Sequence, residues 1–167
     1  MIKTALLALA LLVAISTLAQ TPSIPATDVT HSDIQKFIDA LPADVVSDKP
    51  IRVVDAGGYH VGVFGVLRPH TVQQPAVLHQ TKVTEIYYIL AGSGTLVTGG
   101  TLPDPHPLAG SSNTLASPRI DGGVSRTVTT GDVVIIPGNT PHWFSSQDGD
   151  LKYLIFRPDP EGKLPLK

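Results

Sequence analysis

Two short stretches carry the residues most able to do chemistry. In the first, His79 is followed six residues later by Glu85, in His-Gln-Thr-Lys-Val-Thr-Glu. In the second, His142 follows the run Gly131-Asp-Val-Val-Ile-Ile-Pro-Gly-Asn-Thr-Pro. Two imidazoles and one carboxylate make a ligand set for a first-row divalent ion such as iron, manganese, nickel or zinc. Three protein ligands leave positions for water or substrate, the open arrangement of catalytic centres. Each residue also has a plainer use. His79 suits a core or surface histidine bonded to backbone, and Glu85 suits a strand-edge charge paired with Lys82.

These side chains need strands to hold them. Glu85 opens the apolar run Ile86 to Leu90, rich in β-branched and aromatic residues. Gly92-Ser93-Gly94 then reads as a turn. Val133 to Ile136 is a second strand, entered through a Gly131-Asp132 turn and closed by Pro137, Gly138 and Asn139. Side chains alternate along a strand, which predicts that His79 and Thr81 share a face, and that Glu85 and Tyr87 do. If Lys82-Val83-Thr84 joins the two strands, both sets face one interior. Tyr87 then suits an acid, a hydrogen-bond donor behind the ligands or a core aromatic, and Phe144 shares the face of His142 in the pocket wall. Arg68 and Arg157 end strands, where arginine meets an anionic substrate or water.

Composition supports a β scaffold. The 167 residues fit one domain plus a leader, and 42% are hydrophobic, enough for a core. Gly and Pro number 15 each, which favours many short strands joined by turns. The formal charge of −2, without a Lys/Arg stripe, argues against a nucleic-acid partner. Cysteine is absent, so disulfides, thiolate nucleophiles and Cys-based zinc sites are excluded.

Residues 1–19 read as a secretory signal peptide. Lys3 supplies the positive start, Ala5 to Ile15 the apolar run, and Thr17-Leu18-Ala19 a cleavage site after Ala19. The run is shorter than the roughly 20 residues of a membrane span. The expected product is a secreted or periplasmic protein with no membrane attachment after cleavage. A linker (20–28) precedes a single domain at 29–160, and a polar tail at 161–167 is expected to be loosely held. One helix is predicted. Thr30 caps it, Asp33 suits its N-terminal end, Ile34, Phe37, Ile38 and Leu41 form one apolar face, and Pro42 stops it.

Strands are predicted at 51–55, 59–67, 76–79, 86–90, 95–98, 126–129, 133–136, 143–144 and 151–157. Asp148-Gly149-Asp150 reads as the hairpin turn between the last two. Glycines 62 and 65 inside a strand suggest a bulge or curvature. Residues 99–121 read as a long loop, either a lid or a surface insertion, with room for a short hairpin near Ile120 to Val128.

The two stretches together resemble the paired motifs of the cupin superfamily. His79, Glu85 and Gly92 occupy the first motif; Gly131, Pro137 and His142 occupy the second. The resemblance covers roughly Val53 to Phe156. It implies an all-β double-stranded β-helix or jelly-roll barrel, with a core at about 51–157 and one short N-terminal helix. It also implies a divalent metal held by His79, Glu85 and His142, a small-molecule ligand or substrate, and a homodimer. Thr81 stands where the family has a second histidine, Gln73 and Asn139 replace glycines, and Ser146 replaces an asparagine. Thr81 would coordinate weakly, hold a metal-bound water, or leave a position open, and Thr81 or Tyr87 would handle a proton. The alternative is a non-catalytic cupin that has lost its metal, with Thr81 in place of the histidine, and binds a carbohydrate or another small ligand in the same pocket. His60 replaces the absent ligand if it faces inward, and His106 reaches the site only if its loop covers the barrel mouth. His70 reads as a loop residue and His31 as solvated on the helix.

Overall fold

The structure is a computed structural model that describes residues 23–167. The expected leader and the first linker residues lie outside the described residues. The helix α1 (His31–Asp39) starts as its sequence dictates. The Thr30 hydroxyl accepts from the Asp33 amide, and the Asp33 carboxylate accepts from the Thr30 amide, so the end is capped in both directions. Ile38 is its buried residue. No described helix is long and apolar enough to cross a membrane.

The remainder is all-β, and every strand pairing is antiparallel. β1 (Ser47–Asp55) pairs with β2 (His60–Arg68), and β2 with the second half of β9 (His142–Asp159). β3 (Ala76–His79) pairs with β6 (Thr114–Ser117), which carries the two-residue β5 (His106–Pro107). β4 (Glu85–Thr98) is flanked by β8 (Val133–Ile136) at its start and β7 (Val124–Thr129) at its end.

β4 and β9 change partners halfway along. The first half of β4 lies between β8 and the end of β9, and its second half between β7 and the start of β9. Both pairing sets surround one core. Tyr87, Leu96, Phe144, Leu151, Tyr153 and Ile155 belong to it, with Val53, Phe64 and Val128. Each such side chain contributes roughly 1.5–3 kcal/mol by leaving water. The arrangement is of the double-stranded β-helix type, and its pairings bring together the distant segments that carry the site.

Several local expectations give way to long-range pairing. Gly92-Ser93-Gly94 does not turn the chain; β4 runs through it and pairs Ser93 with Asp148 and Gly94 with Gln147. The register shifts between Ala91 and Ser93, Gly92 has φ +86°, and a Cβ there would lie 2.3 Å from the Asp150 carbonyl oxygen. The glycine therefore serves a bulge and a close backbone approach. Asp148-Gly149-Asp150 likewise sits inside β9, not in a hairpin between two strands. Gly65 makes room for α1: Phe37 and Ile38 lie 2.8 and 2.9 Å from where its Cβ would be.

The segment 99–121 is not a featureless loop, since it holds β5, β6 and a Thr101–Asp121 bridge. β1 begins at Ser47, earlier than its apolar pattern, and so brings Asp48 into the sheet. The tail is tied down. Asp159 accepts from the amides of Glu161, Lys163 and Leu164, and Lys167 exchanges two backbone hydrogen bonds with Val53.

Candidate metal centre

His79 ends β3, Glu85 opens β4 and His142 opens β9. Backbone pairing brings them together, because Val77 lies opposite His142 and Glu85 opposite Ile136. One ligand atom from each of the three lies within 4.8 Å of the others. The two imidazole centroids are 5.2 Å apart, and His142 Nε2 is 3.6 Å from Glu85 Oε2. A first-row ion sits about 2.0–2.2 Å from each donor, so donors on one ion lie no more than about 4.4 Å apart, close to the separation here. Glu85 and His142 are buried, with 6% and 5% of their surface exposed.

The outer contacts decide which nitrogens are available. His142 Nδ1 lies 3.0 Å from the Thr140 carbonyl oxygen, and a carbonyl accepts only, so Nδ1 carries the proton. His79 Nδ1 lies 2.9 Å from the Thr114 hydroxyl, itself 2.7 Å from Ser111 Oγ. His142 Nε2 thereby faces Glu85, and Nε2 is the nitrogen left to His79, as in metal-bound histidines whose other nitrogen is anchored. A cation seated between His142 Nε2 and the Glu85 oxygen 3.6 Å away would meet a lone-pair donor on either side. The donor set thus fits a divalent ion.

Glu85 is the most heavily supported member. Its Oε1 accepts from Arg157 Nε at 3.0 Å and Nη2 at 2.7 Å, and its Oε2 accepts from the Tyr87 hydroxyl at 3.0 Å. Arg157 also forms a two-pronged pair with Asp48, at 3.1 and 2.6 Å. Burial opposes ionisation of Glu85, but Arg157, His142 and His79 outweigh it and hold its carboxyl down at about 2. Burial also depresses His79 below the usual imidazole value, with Glu85 opposing. At neutral pH the site therefore offers an ionised carboxylate and a neutral His79.

The sign of the pH dependence follows. Glu85 ionises at about 2 in the fold against an ordinary 4.5, so its contribution is full above 4.5 and fades as pH falls toward 2. That contribution is on the order of 3 kcal/mol. His79 adds loss in the same direction, beginning below its ordinary 6.5. Urea midpoints of metal-free protein should fall steeply from pH 5 to about pH 2, and Glu85→Gln should flatten that slope. Equal slopes for both proteins would contradict the assignment.

Thr81 does not share a strand face with His79, because β3 ends at His79. The Thr81 amide donates to the His79 carbonyl at 2.9 Å, and its hydroxyl accepts from the Val83 amide at 3.2 Å, in a tight turn lining the cavity. Tyr87 does share Glu85's side. It is 2% exposed in the core, and burial drives its hydroxyl well above the ordinary tyrosine value, with Glu85 adding to the rise. Its hydroxyl therefore holds its proton and donates it to Glu85. Lys82 pairs with Glu161 at 3.0 Å, not with Glu85. His60 commits Nδ1 to the Leu164 carbonyl at 2.7 Å and does not join the centre. His70 pairs with Asp150, and His106 and His31 are exposed elsewhere. Phe144 packs in the core, its ring 6.4 Å from that of Tyr87, and does not line the cavity of the three ligands.

Arg157 and Thr114 are what the sequence reading missed as supports of the ligands. Arg157 had a signal: Leu151, Tyr153 and Ile155 are buried at alternate positions, and Arg157 continues that face. Thr114 had none, because its segment lacks periodicity. A cavity of about 520 Å³ opens over the three ligands. Its polar rim includes Gln80, Ser111, Asn113, Asn139, Glu161 and Lys163.

Comparison with protein-family models finds no match, and neither does comparison with curated proteins. Among solved structures the chain is similar to an RmlC-like cupin family protein with a double-stranded β-helix fold from Methanocaldococcus jannaschii. The TM-score is 0.44 at 14% identity, covering 74% of this chain and 91% of that one. A cupin-like protein from Thermotoga maritima gives 0.44 at 18% identity, covering 73% and 74%. Oxalate oxidase in complex with the substrate analogue glycolate gives 0.46 at 17%, covering 74% of this chain and 57% of that one. These similarities concern the fold; the metal centre stands on its own distances.

Proposed function

We propose that the chain is an exported, metal-binding protein of the cupin type that acts on a small polar organic molecule at His79, Glu85 and His142. One observation carries the reading: three donors from distant strands lie within 4.8 Å, with both imidazoles anchored through Nδ1. A bound ion would supply Lewis acidity toward a carbonyl, carboxylate or enolate oxygen. The chain's own part is to keep Glu85 ionised through Arg157, to fix it through the Tyr87 hydroxyl, and to present a polar cavity. The Thr81 turn lies at that cavity and, as a proposal, positions a water or substrate oxygen. Exposed Tyr88, Val133 and Ile135 on β4 and β8 support a homodimer through this sheet.

The test is metal content of protein purified without a histidine tag, followed by titration with manganese, iron, nickel and zinc. One ion per chain is expected, and His142→Ala or Glu85→Gln should weaken binding more than about 100-fold. A folded protein that takes up none of these ions sinks the metal reading. It would favour the second reading, a metal-free ligand-binding protein, which one feature supports: Arg157 and Tyr87 already satisfy both oxygens of Glu85. Export has its own check. Protein expressed with its leader should begin at Gln20, by terminal sequencing; an intact Met1 in the exported fraction contradicts the proposed cleavage.

A further inference from the structure

A second cavity, about 160 Å³, lies beyond the aromatic layer formed by Tyr87, Phe144 and Tyr153. It is built around Arg68. The Arg68 Nε donates to the Tyr153 hydroxyl at 2.8 Å, and its guanidinium carbon sits 5.3 Å from the centre of the Phe144 ring. Its Nη1 and Nη2 make no hydrogen bond or ion pair among the described residues, although no buried side-chain polar atom is left without a partner. These nitrogens are therefore open to the cavity. Ser145, Ser146 and Gln147 of β9 and Gln73 of the β2–β3 connection line the same space.

The contrast with Arg157 is informative. Arg157 holds two carboxylates, whereas Arg68, likewise half-buried, faces none within ion-pair distance among the described residues. A guanidinium withdrawn from bulk water without a counter-ion is costly. Its planar pair of free donors matches the two oxygens of a carboxylate. Of the side chains lining it, Arg68 carries a full positive charge, and His70 spends its ring nitrogen and amide on Asp150, at 2.7 and 2.9 Å. A single guanidinium suits a monoanion better than phosphate, which carries roughly −1.5 to −2. The volume equals about five water molecules, enough for a short carboxylic acid. The Phe144 face and Val72 supply an apolar contact for its carbon chain.

We propose that this cavity is a binding site for a small monocarboxylate, held two-pronged by Arg68 and closed by the Ser145–Gln147 segment. Neither the metal centre nor its ligands take part, so the site stands or falls separately.

Acetate and propionate are the probes, titrated into metal-free protein with chloride holding ionic strength constant. Amide resonances of Ser145, Ser146 and Gln147 should shift saturably, while those of Thr81 and Asn113 at the metal centre do not. Arg68→Met should weaken binding about tenfold to hundredfold, the size of a lost charge-assisted pair. Arg68→Lys keeps the positive charge, should fold, and should weaken binding less than Met. Shifts confined to Thr81 and Asn113, affinity unchanged in both variants, or saturable phosphate binding without acetate binding would each overturn the proposal.

Discussion

Replacing Arg157 by leucine is expected to destabilise the metal-free protein by about 3–5 kcal/mol, the cost of stranding buried charge. Arg157 is the shared counter-ion of Glu85 and Asp48, with contacts of 2.7 Å and 2.6 Å to their oxygens. Only 8% of the Glu85 side chain is exposed, so water cannot take over. The Asp48 side chain, 38% exposed, retains solvent and contributes less. The double variant Arg157→Leu/Glu85→Gln should recover much of the loss, since no full charge then remains at Glu85. Urea denaturation of the two single variants and the double measures this as a cycle. The proposed metal sharpens the outcome. A divalent ion beside Glu85 competes with a cation already on its carboxylate, so Arg157→Leu should bind the ion more tightly than the parent protein. Added metal should then raise the urea midpoint of the variant more than that of the parent, by mass action on the folded state. Additive losses in the cycle, or metal stabilising the parent more, would show that Arg157 does not govern Glu85.

The second large effect is expected at Gly138, which touches none of the ligands. A Cβ at this position would lie 2.3 Å from the Thr81 carbonyl oxygen and 2.8 Å from Lys82 Cα. Both are backbone atoms and cannot rotate aside. Gly138 sits in the loop that delivers His142, and Thr81-Lys82 sits in the turn between His79 and Glu85. Alanine must push these two segments apart. The expected cost in stability is about 1–3 kcal/mol, as for other overpacked positions. Metal affinity should fall roughly tenfold to hundredfold, the usual size of a lesion in the shell supporting the ligands. Denaturation and metal titration on one preparation separate the two. Unchanged affinity together with lost stability would mean that the centre tolerates a wider loop than its geometry suggests.

Much of this molecule was legible from local pattern. Thr30 and Asp33 announce the helix start because capping is decided by residues three apart. Val133 to Ile136 reads as a strand because a β-branched run is bounded by turn residues, whereas only the fold decides that Val134 and Ile136 are the buried pair. His79, Glu85 and His142 stand out because ligand types recur at motif spacing around strand ends. The tertiary structure decided what depends on neighbours remote in sequence. Gly92-Ser93-Gly94 and Asp148-Gly149-Asp150 carry local turn chemistry, yet they face each other across β4 and β9, and ladder hydrogen bonds there override the turns. Thr114 reaches His79 from 35 positions away, and Arg157 reaches Glu85 from 72. Such partners leave no periodic trace, because a buried carboxylate selects its counter-ion through space. The sequence by itself determined which donors this protein owns and that strands would carry them. Only the folded sheet determined that both imidazoles are anchored through Nδ1 and that Arg157 holds Glu85 ionised beside them, because that arrangement arises from pairings that cross the whole chain.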